Sequence, residues 1–174
     1  NAQISVSPNF TGSLPAWNYS CNKGTEFTMS TSNPSWSASP KDMGELADFD
    51  GDGDLDIAVI NYAGASVDIF ENTSSNGVVS SASDFTKTSF TTMANPRNIV
   101  IVDINNDGKL DIAVADASST VSVLINNSSS SLSFLAKQDF TMSGAGYIEA
   151  GDIDGDGDFD LVLNAKGGSS IYIY

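Results

Sequence analysis

The stretch GDIDGDGDFDLVL, residues 151–163, places Asp152, Asp154, Asp156, Asp158 and Asp160 at every second position. Five carboxylates so close together repel one another at neutral pH, so the loop folds only if something offsets that repulsion. The same segment then turns apolar, which reads as a β-strand leaving the loop. Two other segments share the layout: DFDGDGDLD at 48–56 and DINNDGKLD at 103–111. Together the three hold 13 of the chain's 18 aspartates, so the acidity is concentrated rather than spread as a solvated surface. They begin 55 and 49 residues apart, and an internal period near 50 points to a β-repeat such as a propeller blade.

Each segment reads D-x-[DN]-x-D-G-x-x-D. A hard cation such as Ca²⁺ takes about six to eight oxygen ligands. Positions 1, 3, 5 and 9 offer side-chain oxygens: Asp48, Asp50, Asp52 and Asp56; Asp103, Asn105, Asp107 and Asp111; Asp152, Asp154, Asp156 and Asp160. Position 7, occupied by Asp54, Lys109 or Asp158, is expected to contribute its backbone carbonyl, because a lysine side chain cannot bind a cation. Position 6 is Gly53, Gly108 or Gly157, as a sharp turn at positive φ requires. Three solvated acidic turns are the plain alternative, and three matches at one spacing count against it. An EF-hand would place Glu at position 12 within a helix. Here that position holds Val59, Val114 or Leu163, inside the strand-like runs LDIAVI, LDIAVA and FDLVLN.

More strands flank the loops. NIVIVDI (98–104) and YIEAGDI (147–153) lead into two of them. ASVDIFEN (65–72), STVSVLIN (119–126) and SSIYIY (169–174) follow after short turns, and SFTTM (89–93) and DFTM (139–142) close two of the units. The unit is therefore strand, acidic loop, strand, turn, strand, strand.

DINNDGKLDIAVADASSTVSVLINN (103–127) resembles the FG-GAP/VCBS repeats of integrin-α-like propellers, fungal propeller lectins and bacterial surface proteins. The resemblance covers about residues 44–174. It implies an all-β fold of about three four-stranded antiparallel propeller-type blades, with three Ca²⁺ ions in the Asp-rich loops. It also implies an extracellular or cell-surface setting. The family's Gly-Ala-Pro signature is only approximated by NYAGAS and NAKGGS, which does not favour integrin-like ligand binding.

The repeats are expected at 44–93, 94–142 and 143–174, after an N-terminal β or irregular segment at 1–43. The third repeat lacks a fourth strand. EFTM (26–29) reads like DFTM (139–142), which makes it the first candidate for a strand donated to another copy; ISVS (4–7) is the second. An exposed strand edge is a template for such pairing. A start at Asn1 rather than Met suggests a processed or excised chain. Trp17 and Trp36 suit either a sugar-stacking site or cover for an apolar edge. Cys21 is the only cysteine, either free, buried or paired between chains.

A net charge of −15 argues against nucleic acid and anionic membrane as partners. No apolar run approaches the ~18 residues of a membrane span. With no histidine, His-based triads and His zinc sites are excluded. The four glutamates are scattered, and no enzyme motif is present. N-x-[ST] occurs at Asn9, Asn18, Asn72, Asn126 and Asn127, so glycosylation at these positions is compatible with an extracellular chain. Two functions fit: a structural subunit that pairs with copies of itself into an oligomer or fibre, and a glycan- or protein-binding adhesin module of a longer propeller.

Overall fold

The structure, a computed structural model, describes residues 44–74, 79, 82–116, 119–142, 145–165 and 170–174. EFTM, ISVS, Asn9, Asn18, Trp17, Trp36 and Cys21 lie outside the described residues.

The described residues form three antiparallel sheets. Sheet I contains β1 (Gly44–Ala47), β2 (Asp56–Asn61), β3 (Ser66–Asn72) and β4 (Phe85–Thr91). Sheet II contains β5 (Pro96–Val102), β6 (Asp111–Asp116), β7 (Thr120–Leu124) and β8 (Gln138–Thr141). Sheet III contains β9 (Ala145–Gly151), β10 (Asp160–Ala165) and β11 (Ile171–Ile173). In each sheet, strands adjacent in sequence are adjacent in space. The register repeats as well: Ile57 faces Phe70, Ile112 faces Leu124, and Leu161 exchanges both backbone hydrogen bonds with Tyr174.

Alternation of side chains along β6 explains how the sheets stack. Its six residues, DIAVAD, are all buried. Successive side chains of a strand point to opposite faces. Ile112 and Val114, with Ile99 and Leu124, pack against Ala58, Ile60, Val67 and Ile69 of sheet I. Ala113 and Ala115, with Val121 and Val123, pack against Ile148, Leu161 and Leu163 of sheet III. Sheet II is thus covered on both faces, and each large aliphatic side chain so buried contributes about 1.5–3 kcal/mol. Phe134 joins sheets I and II by meeting Phe49 and Phe90 edge-on, with ring centroids 5.8 and 4.9 Å away. The first strands lie together, with β5 against both β1 and β9.

Two features of sheet I differ from the expected pattern. Sheet I has a leading strand, β1, which its short and mostly exposed sequence GELA does not announce. Its fourth strand also begins earlier than expected, at Phe85. Sheet III has three strands where the other two have four, so it is not a four-stranded unit within the described residues. Ile171 on its outer strand is 70% exposed, and Ile173 and Tyr174 are exposed beside it. Among the described residues, no helix is long and apolar enough to cross a membrane.

Candidate metal centres

Each acidic loop joins the first strand of its sheet to the second, and all three fold by one hydrogen-bond scheme. The position-1 carboxylate accepts the N–H of the position-6 glycine: Asp48 from Gly53 at 3.0 Å, Asp103 from Gly108 at 2.7 Å, Asp152 from Gly157 at 3.2 Å. The position-3 oxygen accepts the N–H of position 5: Asp50 from Asp52, Asn105 from Asp107, Asp154 from Asp156. The position-5 carboxylate accepts the N–H of position 7: Asp52 from Asp54, Asp107 from Lys109, Asp156 from Asp158. The position-9 carboxylate accepts the N–H of position 2: Asp56 from Phe49, Asp111 from Ile104, Asp160 from Ile153. Local side-chain acceptors thus wrap the backbone inward and bring oxygens of like charge together.

The turn needs two left-handed residues, not one. Position 6 has φ of +94° at Gly53, +86° at Gly108 and +98° at Gly157. Position 4 is also left-handed, at Gly51, Asn106 and Gly155. Asn is among the few side chains that tolerate this region, which is how Asn106 stands in for glycine.

The carboxylate oxygens of Asp48, Asp50 and Asp56 lie within 4.8 Å of one another, as do those of Asp152, Asp154 and Asp156. A donor set made only of hard oxygens, most of them charged, fits Ca²⁺ and does not fit a soft metal. The predicted ligands do not all gather. Asp52 stands apart from the first group and Asp160 from the third. In the second loop no three acidic groups come together among the described residues. Its Asn105 donates from Nδ2 to Asp107 Oδ2 at 3.2 Å. Asp158 at position 7 accepts from the Asn106 amide at 2.6 Å.

Position 9 has a second role that its place in the motif conceals. Asp56 and Asp111 are buried, and each also accepts a backbone N–H from the far end of the third strand or just past it: Asp56 from Asn72, the last residue of β3, at 2.8 Å, and Asp111 from Asn126, two residues after β7, at 2.7 Å. Burial is the main reason both carboxyls are pushed up from the usual aspartate range; these hydrogen bonds pull them down, and neighbouring loop aspartates push them up again. Glu71, raised by burial and by Asp50, Asp56 and Asp52, adds a carboxylate beside the first loop.

The asparagines complete the closure. Asn72 Nδ2 donates to Leu55 O at 3.4 Å, and Asn126 Nδ2 donates to Leu110 O at 3.0 Å. Both side chains, whose amide nitrogens the sequence offers as glycan acceptors, are buried and donate to loop carbonyls. Asn127, next to Asn126, is exposed.

The profile of the FG-GAP-like repeat family matches residues 48–114 and again residues 103–163. Each match opens on a position-1 aspartate, Asp48 or Asp103, and runs into the strand that follows the next loop. Together they span well over half of the chain, and the protein belongs to the FG-GAP-like repeat family. No curated protein gives a match to the chain.

Proposed function

We propose that this is an extracellular, calcium-stabilised structural repeat protein whose sheets are propeller-type blades and which joins copies of itself by strand donation. Ca²⁺ in each of the three loops offsets the carboxylate repulsion and locks the blade, with no catalytic part for the carboxylates. The structural role rests chiefly on one observation: among the described residues, sheet III ends on β11 with no strand beyond it. There Ile171, Ile173 and Tyr174 are exposed along β11, where sheets I and II carry a fourth strand. Unpaired strand backbone beside apolar side chains recruits another strand. EFTM is the first candidate donor: its counterparts in sheets I and II, Phe90 and Phe140, sit on the outermost strands β4 and β8. Donation between copies is a heterologous contact, which closes into a ring or grows into a fibre. Deleting residues 1–30 tests this by light scattering and electron microscopy in millimolar Ca²⁺. Loss of the assembly is expected; an unchanged assembly, or a monomeric intact protein, contradicts it.

A monomer would favour a second reading, a glycan- or protein-binding module of a longer propeller. The feature that suits this reading is a polar groove along the first strands, lined by Glu45, Asn98, Tyr147 and Glu149. Asn127 is the described sequon best placed to carry a glycan, because its side chain is exposed.

A further inference from the structure

We infer that the first and second acidic loops form a coupled pair of Ca²⁺ sites, with Asn126 as the positioning residue that couples them; this rests on the calcium reading above. Asn126 is 1% exposed and sits between the loops. Its backbone N–H is held by Asp111 of loop 2 at 2.7 Å. Its Nδ2 donates to two carbonyls at once: Leu110 of loop 2 at 3.0 Å and Phe49 of loop 1 at 2.8 Å. Phe49 lies between Asp48 and Asp50, the first two carboxylates of loop 1, and its own N–H is held by Asp56, the third of that group. Its ring is seated against Phe134, which pairs with Asn126 in an isolated β-bridge. A polar and an aromatic contact therefore fasten the start of loop 1 to the residue that closes loop 2.

An ion in loop 1, the tighter site, fixes Phe49 and, through its carbonyl, the Asn126 amide. Asn126 then holds Asp111 in place, so part of the ordering cost of loop 2 is already met when its own ion arrives. The coupling is reciprocal. Among the described residues, loop 3 has no such tie. Its contact with loop 2, from Asn106 to Asp158, is exposed, and water competes for both groups. Asn72 closes its own loop through Leu55 alone among the described carbonyls, which makes it the control.

The test is a CaCl₂ titration of the full chain, followed by NMR at the amides of Gly53, Gly108 and Gly157, one reporter per loop. Asp50→Asn removes one charge from the loop 1 carboxylate group. Because loop 1 fills before loop 2, this is expected to raise the Ca²⁺ needed to half-fill loop 2 by about fivefold and to leave loop 3 within about twofold. In an Asn126→Ala background the same change is expected to have no effect on loop 2. Asn126→Ser, which keeps the N–H to Asp111, serves if the alanine variant does not fold, and Asn72→Ala is expected to leave the coupling intact. A loop 2 that binds Ca²⁺ but ignores Asp50→Asn overturns the coupling alone. An effect of Asp50→Asn on loop 2 that persists undiminished without the Asn126 side chain removes Asn126 from the role. Glycine amides that do not respond to Ca²⁺ at all overturn the calcium reading together with the coupling.

Discussion

Asp111 is wholly buried, and its two oxygens take the N–H groups of Ile104 and Asn126. Removing the carboxylate strands two buried donors, at about 1–3 kcal/mol each. Asp111→Ala is therefore expected to destabilise the metal-free protein by about 2–6 kcal/mol. Asp160→Ala is expected to cost less, because Asp160 is half-buried and takes the N–H of Ile153. Urea denaturation in excess chelator compares the two, and equal losses would contradict the clamp role. Acid should reveal the same residues. Burial raises the Asp56 and Asp111 carboxyls, so each contributes stability that is complete below the ordinary value near 3.9 and lost as pH rises through the raised folded value. Asp68 runs the other way. Burial alone would raise it, but Lys87, Ser89, Ser66 and Asn61 together hold it below the usual range. Its contribution is present above ~3.9 and lost as pH falls through the lowered value. The metal-free protein is thus expected to be most stable near pH ~4 and to weaken toward neutrality. Calcium should invert that upper limb, because its ligands must be deprotonated. Thermal melts across this range with and without Ca²⁺ decide it; a metal-free stability that rises toward neutral pH contradicts the assignment.

At the scale of the element, the acidic loops and the strands after them are legible in sequence because spacing and alternation both repeat. β1 is not: GELA becomes a strand only because β2 pairs with it along Gly44 to Ala47. The position-4 turn residue is obscured because Asn106 replaces a glycine. The loop-closing asparagines read as sequons, since Thr73-Ser74 and Asn127-Ser128 follow them. The available signal is their distance from the position-9 aspartate, 16 residues for Asn72 and 15 for Asn126, and its meaning appears only once the strand register is known. Differences among the loops set an expected order of affinity. Loop 2 has Asn105 at position 3 where the others have Asp, so it should bind Ca²⁺ weakest, since affinity follows ligand charge. Asn105→Asp is expected to tighten it. Calorimetric titration measures this, and a second loop that is already the tightest, or that is unmoved by the substitution, contradicts the ordering.

For the molecule as a whole, the stack depends on sheet II being apolar on both faces, with Ile112 and Val114 toward sheet I and Ala113 and Ala115 toward sheet III. The sequence IAVA shows that both faces are apolar but not which sheet each one meets; that follows from how the chain returns between units. At neutral pH the chain carries a net charge of −15, and three divalent ions would offset six of those charges where they are densest. An ion present at ~100 times its dissociation constant contributes ~2.7 kcal/mol per site. Three such sites rival the ~5–15 kcal/mol that holds a typical domain together. The most direct measurement is the melting temperature in millimolar Ca²⁺ against excess EGTA. Calcium as the lock of the fold predicts a fall of more than about 10 °C when it is withdrawn; superimposable melting curves would contradict it.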